Sequence, residues 1–278
     1  MNKTPFASPP KWSAASQSEL TRRKTSENLL HCLYSFPDLP SSHILVRLRT
    51  PALSHLSRRH LRTLVVMLHV LYASRMLVIL AHGLGRSRLS MYLLGRRLAR
   101  DGFEVEYFSY SPLVETHEEI ISRLTLWMGK LASAKSEVGL VGHSFGGLLF
   151  REALGRVPEL NVRHLIMLGT PHRPPRLARI YKYPPLNLLR GGIGRRLASR
   201  RWFSSLPPIE VPYTIVSGTM GWRGKLSPFE SELNDGIVAV SETLLSDRDR
   251  PILVPSIHTF LMNNPAVTEL IVRRFSRS

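Results

Sequence analysis

Short apolar runs alternate along this chain with segments of helical period. Met76-Leu77-Val78-Ile79-Leu80-Ala81, Glu137-Val138-Gly139-Leu140-Val141-Gly142, Val162–Leu168 and residues 213–216 read as buried strands. Phe103-Glu104-Val105-Glu106-Tyr107-Phe108 and residues 251–255 read as two more. Between them, a helix is expected near 90–99, with Leu93, Leu94 and Leu98 on its packing side. Thr116 with Glu119 makes a capping box, and opens a helix in which Ile120, Leu124, Trp127 and Leu131 recur at helical spacing. A last helix is expected over about 265–275. Strand alternating with helix predicts an α/β fold: a mostly parallel central sheet covered by helices on both faces.

Gly142-His143-Ser144-Phe145-Gly146 falls between one such strand and a helix-like run that supplies Leu148, Leu149, Phe150 and Leu154 for packing. A G-x-S-x-G pentapeptide in that setting is a nucleophile elbow, a strand-to-helix turn too tight for bulky flanking side chains. It lifts a serine hydroxyl clear of the sheet edge. The hydroxyl attacks only if a base takes its proton and a third group orients that base. With such an elbow the acid and then the base follow the serine along the chain. The aspartates after Ser144 are Asp235, Asp247 and Asp249, and the histidine left beyond them is His258. Asp235 sits in Asn234-Asp235-Gly236-Ile237-Val238, a turn leading into an apolar run, whereas Asp247 and Asp249 lie in a charged stretch that reads as a solvated turn. Ser144, Asp235 and His258 are therefore the candidate catalytic residues. The N–H groups of Phe145 and Leu84 are the candidate oxyanion-hole donors, the second in a supporting loop that opens with His82 and Gly83.

His82-Gly83-Leu84-Gly85, Gly142 to Gly147, Leu168-Gly169-Thr170-Pro171-His172 and Asn234 to Val238 followed by His258-Thr259-Phe260 stand in one order. On these blocks residues 76–275 resemble the α/β-hydrolase superfamily, in its lipase/esterase-like branch with a small cap. The resemblance implies hydrolysis of carboxylic esters through an acyl-enzyme, with no organic cofactor. Secreted bacterial lipases of this kind often carry an aspartate beside the catalytic histidine for a structural calcium. Thr259 stands there, so no metal site is expected. They also often carry a disulfide, which a chain with only Cys32 cannot form internally.

Size and charge add an outline. The 278 residues suggest a catalytic domain over 76–278, with a cap-like insertion at about 173–211. Residues 1–75 read as a basic, largely disordered extension, rich in serine and proline, with a short apolar helix near 61–74. Its composition resembles that of an organelle transit peptide, and Met76 offers an alternative start. The apolar run at 64–73 is too short to cross a bilayer as a helix. A cytoplasmic or peripherally membrane-associated protein is expected, or an exported one if that run acts as a signal.

The formal net charge is +18, and residues 173–204 carry nine Lys/Arg and no acid, with Tyr181, Tyr183, Trp202 and Phe203 among them. That strip reads either as a solvated basic loop or as a surface that docks on anionic lipid or acidic substrates beside the active-site mouth. No recognised nucleic-acid motif accompanies the charge, so no specific nucleic acid is expected. The expected partner is a small-molecule or lipid ester. An acyltransferase using the same three residues and a non-catalytic basic binding protein are the alternatives.

Overall fold

The computed structural model describes residues 76–178 and 192–276. The N-terminal extension, its apolar segment, Tyr181 and Tyr183 lie outside the described residues. Six strands form one sheet: β1 (Leu77–Ala81), β2 (Glu104–Phe108), β3 (Val138–His143), β4 (Val162–Leu168), β5 (Tyr213–Gly218) and β6 (Ile252–Val254). They lie in the order β2-β1-β3-β4-β5-β6, and every neighbouring pair is parallel. The chain thus winds outward from β1 to β2, crosses back to β3, and continues to β6. Such a reversal leaves a crevice outside the carboxyl ends of β1 and β3, where ligands bind in open α/β sheets.

Parallel strands expose two apolar faces, and alternate residues sort between them. Ile79, Leu140, Leu165, Met167 and Ile215 pack on one side against α2 (His117–Ser133) and α3 (Phe145–Leu154). Val78, Leu80, Val141, Ile166 and Val216 pack on the other against α1 (Tyr92–Arg100) and α6 (Pro265–Ser276). The capping box holds α2 as expected: the Thr116 hydroxyl accepts from the Glu119 N–H, and the Glu119 carboxylate accepts from the Thr116 N–H. Leu94 and Leu98 are buried in α1, but Leu93 is 45 % exposed. Leu93 lies about 100° around the helix from Leu94, off the face that Leu94 and Leu98 share, whereas Met91, three residues before Leu94 in the preceding 3-10 turn, is buried with them. Between β4 and β5, α4 (Ile193–Leu197) and α5 (Arg200–Ser205) bury Ile193, Leu197, Trp202 and Phe203 in the core beside α3. These two aromatics are therefore unavailable as a docking surface, which corrects that part of the sequence reading. No helix among the described residues is long and apolar enough to cross a membrane.

α3 itself carries a buried cation. Arg151 is 9 % exposed, and its guanidinium donates to the carbonyls of Pro207 and Leu206 at 2.8 and 3.3 Å. It also donates to His172 Nδ1 at 3.4 Å. An arginine can only donate, so this imidazole is the acceptor and is uncharged. Burial first, and then the Arg151 charge, push the His172 pKa down to about 3. The sign of the pH effect follows. Between an ordinary histidine pKa of 6.5 and about 3, the unfolded chain takes up a proton at His172 that the folded chain refuses, so stability falls as pH falls through that window. His82 and His143, also lowered by burial, act in the same direction. Urea unfolding at pH 7.5 and pH 5 should show the stability gap between the wild type and His172→Asn narrowing by about 2 kcal/mol at the lower pH. A gap independent of pH would contradict a buried neutral His172.

Candidate active site

Ser144 occupies the turn between β3 and α3 with φ 52° and ψ −119°, a conformation that costs a non-glycine residue roughly 1–3 kcal/mol. Packing enforces it. A Cβ on Gly142 would fall 2.4 Å from the Gly147 backbone, and one on Gly146 would fall 2.5 Å from the Ala81 carbonyl oxygen. Only glycine fits at either place. The Ser144 N–H donates to the Leu168 carbonyl at 2.8 Å, and its own carbonyl accepts from Gly147 N–H at 3.0 Å. The serine is therefore pinned at the crevice, at the N-terminus of α3.

Asp235 and His258 meet although 22 residues lie between them. Asp235 Oδ1 accepts the N–H groups of Ile237 and Val238 at 3.0 and 2.8 Å, which makes the turn expected from the sequence. Its Oδ2 lies 2.6 Å from His258 Nδ1. The His258 N–H also donates to the Asp235 carbonyl at 2.8 Å, so the histidine is held at two points by one residue. Both residues are buried. An acceptor carboxylate keeps the proton on Nδ1, which leaves Nε2 with its lone pair in the neutral ring.

The end of β4 brackets this pair and the serine together. Leu168 accepts the Ser144 N–H, and a Cβ on the next residue, Gly169, would lie 3.0 Å from Asp235 Oδ2 and 3.1 Å from His258 Nδ1. Asp249, the rival acid, is committed elsewhere. Its carboxylate accepts from Leu245 N–H, Ser246 N–H and the Tyr213 hydroxyl at 2.7–2.8 Å, which makes it the anchor of its own turn and not a solvated charge.

Sequence reasoning assigned no role to His143, and the structure gives it one. Its ring lies 4.7 Å from that of His258, and its Nε2–H donates to the His258 carbonyl at 3.0 Å. Burial, and secondarily the neighbouring His258, hold its pKa well below the usual histidine value, so it stays a neutral donor. The residue preceding the serine thus supports the loop of the histidine. No local sequence signal marks that contact, because 115 positions separate the partners.

The β1 loop is tied down by its own histidine. His82 Nε2 accepts the Tyr110 N–H at 3.3 Å, so its proton sits on Nδ1 and is donated to the Gly83 carbonyl at 2.9 Å. The Tyr110 ring stacks on His82 at 4.2 Å, and its hydroxyl donates to the His82 carbonyl at 2.8 Å. A Cβ on Gly83 would fall 2.7 Å from His143 Nδ1 and 3.2 Å from Ser144 Cβ, which puts this backbone directly against the serine. Leu84, Ser144 and Phe145 line one pocket together with Pro171, Pro175, Leu177, Ala178, Leu197, Ile237 and Val238. Among these lining residues Ser144 alone is polar.

Searches of protein-family models and of curated proteins give no match to the chain. Solved structures do match. The mature form of the Bacillus licheniformis lipase BlEst2 aligns with 71 % of this chain and 92 % of its own, at 18 % identity and a TM-score of 0.53. Its propeptide form aligns at 17 % identity and 0.54, and the chain spans half of that longer protein. The thioesterase domain from the curacin biosynthetic pathway aligns with 72 % of this chain and 92 % of its own, at 16 % identity and 0.50. With six parallel strands wound in this order and a tight strand-to-helix turn at the point of reversal, the protein has the α/β-hydrolase fold.

Proposed function

We propose that the protein is a serine hydrolase that cleaves carboxylic esters through an acyl-enzyme. The observation that carries this reading is the 2.6 Å pairing of Asp235 with His258 at the crevice where the elbow presents Ser144. In this mechanism Ser144 Oγ attacks the ester carbonyl carbon while His258 Nε2 takes the hydroxyl proton. Asp235 holds the imidazole by Nδ1 and stabilises the imidazolium as it forms. The carbonyl oxygen becomes an oxyanion facing the N–H groups of Phe145 and Leu84. The first opens α3, whose N-terminus favours negative charge, and the second belongs to the loop that His82 and Tyr110 fix. His258 then gives the proton to the leaving alcohol, and water repeats the steps to release the acid.

The pocket supports an ester with an apolar portion. Among the described residues its lining offers hydrocarbon contact and no charged side chain to pair with an ionic group beside the scissile bond. The solved structures with which the chain shares its fold include a protein named as a lipase and one named as a thioesterase domain, and their names favour the same class of reaction.

On this reading Ser144→Ala lowers kcat on p-nitrophenyl esters by roughly 10^4-fold or more, with the midpoint of thermal unfolding unchanged within a few degrees. Turnover near the wild-type rate would refute the assignment of the nucleophile. The acids separate in a paired experiment. Asp235→Asn lowers kcat by roughly 10^3- to 10^4-fold, because the amide no longer selects the Nδ1–H tautomer. Asp249→Asn leaves kcat within about threefold, and lowers stability by about 1–2 kcal/mol through the lost turn bonds. The reverse pattern would transfer the role to Asp249.

A further inference from the structure

The loop after β5 carries a feature that hydrolysis does not use. Met220, Trp222 and Leu226 are 62, 61 and 85 % exposed within seven residues, while most large apolar side chains of this protein are buried. Side chains of this kind normally turn inward, and a cluster held outward marks an interaction surface. The loop cannot simply fold back over them, because its own hydrogen bonds fix its shape. The Trp222 carbonyl accepts from Asn234 Nδ2 at 3.2 Å and from Ser227 Oγ at 2.7 Å. The Gly221 N–H donates to the Asn234 carbonyl, and the Gly224 N–H to the Glu230 carbonyl, both at 2.8 Å. At its base Phe229 is buried, with the Arg176 guanidinium 6.0 Å from its ring.

Two cations alternate with the apolar tips. Arg223 and Lys225 are exposed, and between 219 and 231 the acidic residue is Glu230, at the base of the loop. The position matters as much as the composition. The Met220 N–H donates to the Ser256 carbonyl at 3.2 Å, one residue from Ile257, which is 41 % exposed. Ile237, on the segment that carries Asp235, is 39 % exposed and also lines the pocket. The loop and the pocket thus occupy the same edge of the sheet, at the carboxyl ends of its strands.

We infer that this loop docks the protein on an anionic lipid bilayer, with Met220, Trp222 and Leu226 entering the interface and Arg223 and Lys225 meeting lipid phosphates. A bilayer offers hydrocarbon just beneath a layer of phosphate, and the loop presents the matching order of groups without needing a shaped groove. Tryptophan suits the boundary, since its ring is apolar and its N–H can stay in water. Docking here would bring the pocket's edge of the sheet to the membrane. The inference does not depend on the catalytic reading, and its test reads binding and not turnover.

The full chain is mixed with vesicles of phosphatidylcholine and phosphatidylserine at 70:30 and with pure phosphatidylcholine, each prepared with and without brominated acyl chains. Wild type should bind the anionic vesicles more tightly, with tryptophan fluorescence quenched by the brominated lipid. Trp222→Phe should keep most of the binding and lose the quenching. Met220→Glu with Leu226→Glu should weaken binding at least tenfold. Arg223→Gln with Lys225→Gln should weaken binding to anionic vesicles about 25-fold, at about fivefold for each charge, and leave pure phosphatidylcholine unaffected. Quenching that persists in Trp222→Phe, or binding by the double glutamate variant within twofold of wild type, would overturn the inference by placing the contact on another segment. Failure of the wild type to bind either vesicle would also overturn it. A soluble short-chain ester serves as the control for folding, since the double glutamate variant should turn it over as the wild type does. If neither protein cleaves esters, the proposed function fails while the vesicle result still stands.

Discussion

Backbone meets backbone at Gly146. A side chain there would fall 2.5 Å from the carbonyl oxygen of Ala81 and 2.6 Å from that of His82, so the start of α3 and the end of β1 touch with nothing between them. Everything at the crevice depends on that closeness. It forces the chain to turn at Ser144 through a conformation that serine would otherwise avoid. It also brings the His82-Gly83 loop against the serine, so that Leu84 and Phe145, from two distant parts of the chain, line one pocket. The parallel sheet supplies the setting. Only where the winding reverses, between β1 and β3, do neighbouring strand ends send their chains to opposite faces and leave a gap.

Around this contact the protein keeps three buried histidines neutral and makes each a positioner. His82 fixes the Gly83 carbonyl, His143 holds the His258 carbonyl, and His172 caps the buried Arg151. All three have pKa values lowered by burial, so near neutral pH none adds a charge beside the Asp235–His258 pair. His258 differs in what its ring faces: its Nδ1 lies 2.6 Å from the Asp235 carboxylate. The contrast among these four histidines is set by what each ring nitrogen faces. On the proposed reading it is what confines proton traffic to one of them.

Much of this was legible in the sequence because parallel strands buried on both faces read as unbroken apolar runs. β1, β3, β4 and β5 were expected within two residues of their bounds for that reason. Asp235 and His258 came from chain order and turn chemistry, and they lie together. What the sequence hid was long-range. Asp249 sits among charges and looks solvated, yet the hydroxyl of Tyr213, 36 positions away, reaches it. Trp202 and Phe203 lie among arginines and looked superficial, whereas two short helices turn them onto the core. The reverse error hid the loop after β5. Met220, Trp222 and Leu226 are spread among glycines and cations, and only side-chain exposure separates them from ordinary loop residues.

The central claim is that Ser144, His258, Asp235 and the amides of Leu84 and Phe145 converge on one tetrahedral centre. The most direct measurement is a crystal structure of the protein after reaction with an alkyl phosphonate ester, whose bound phosphorus mimics that centre. The account predicts phosphorus bonded to Ser144 Oγ, a phosphoryl oxygen about 3 Å from both amide nitrogens, and His258 Nε2 within hydrogen-bond reach of the Ser144 oxygen. A phosphonate on another residue, or one on Ser144 whose oxygen faces solvent with His258 out of reach, would contradict it.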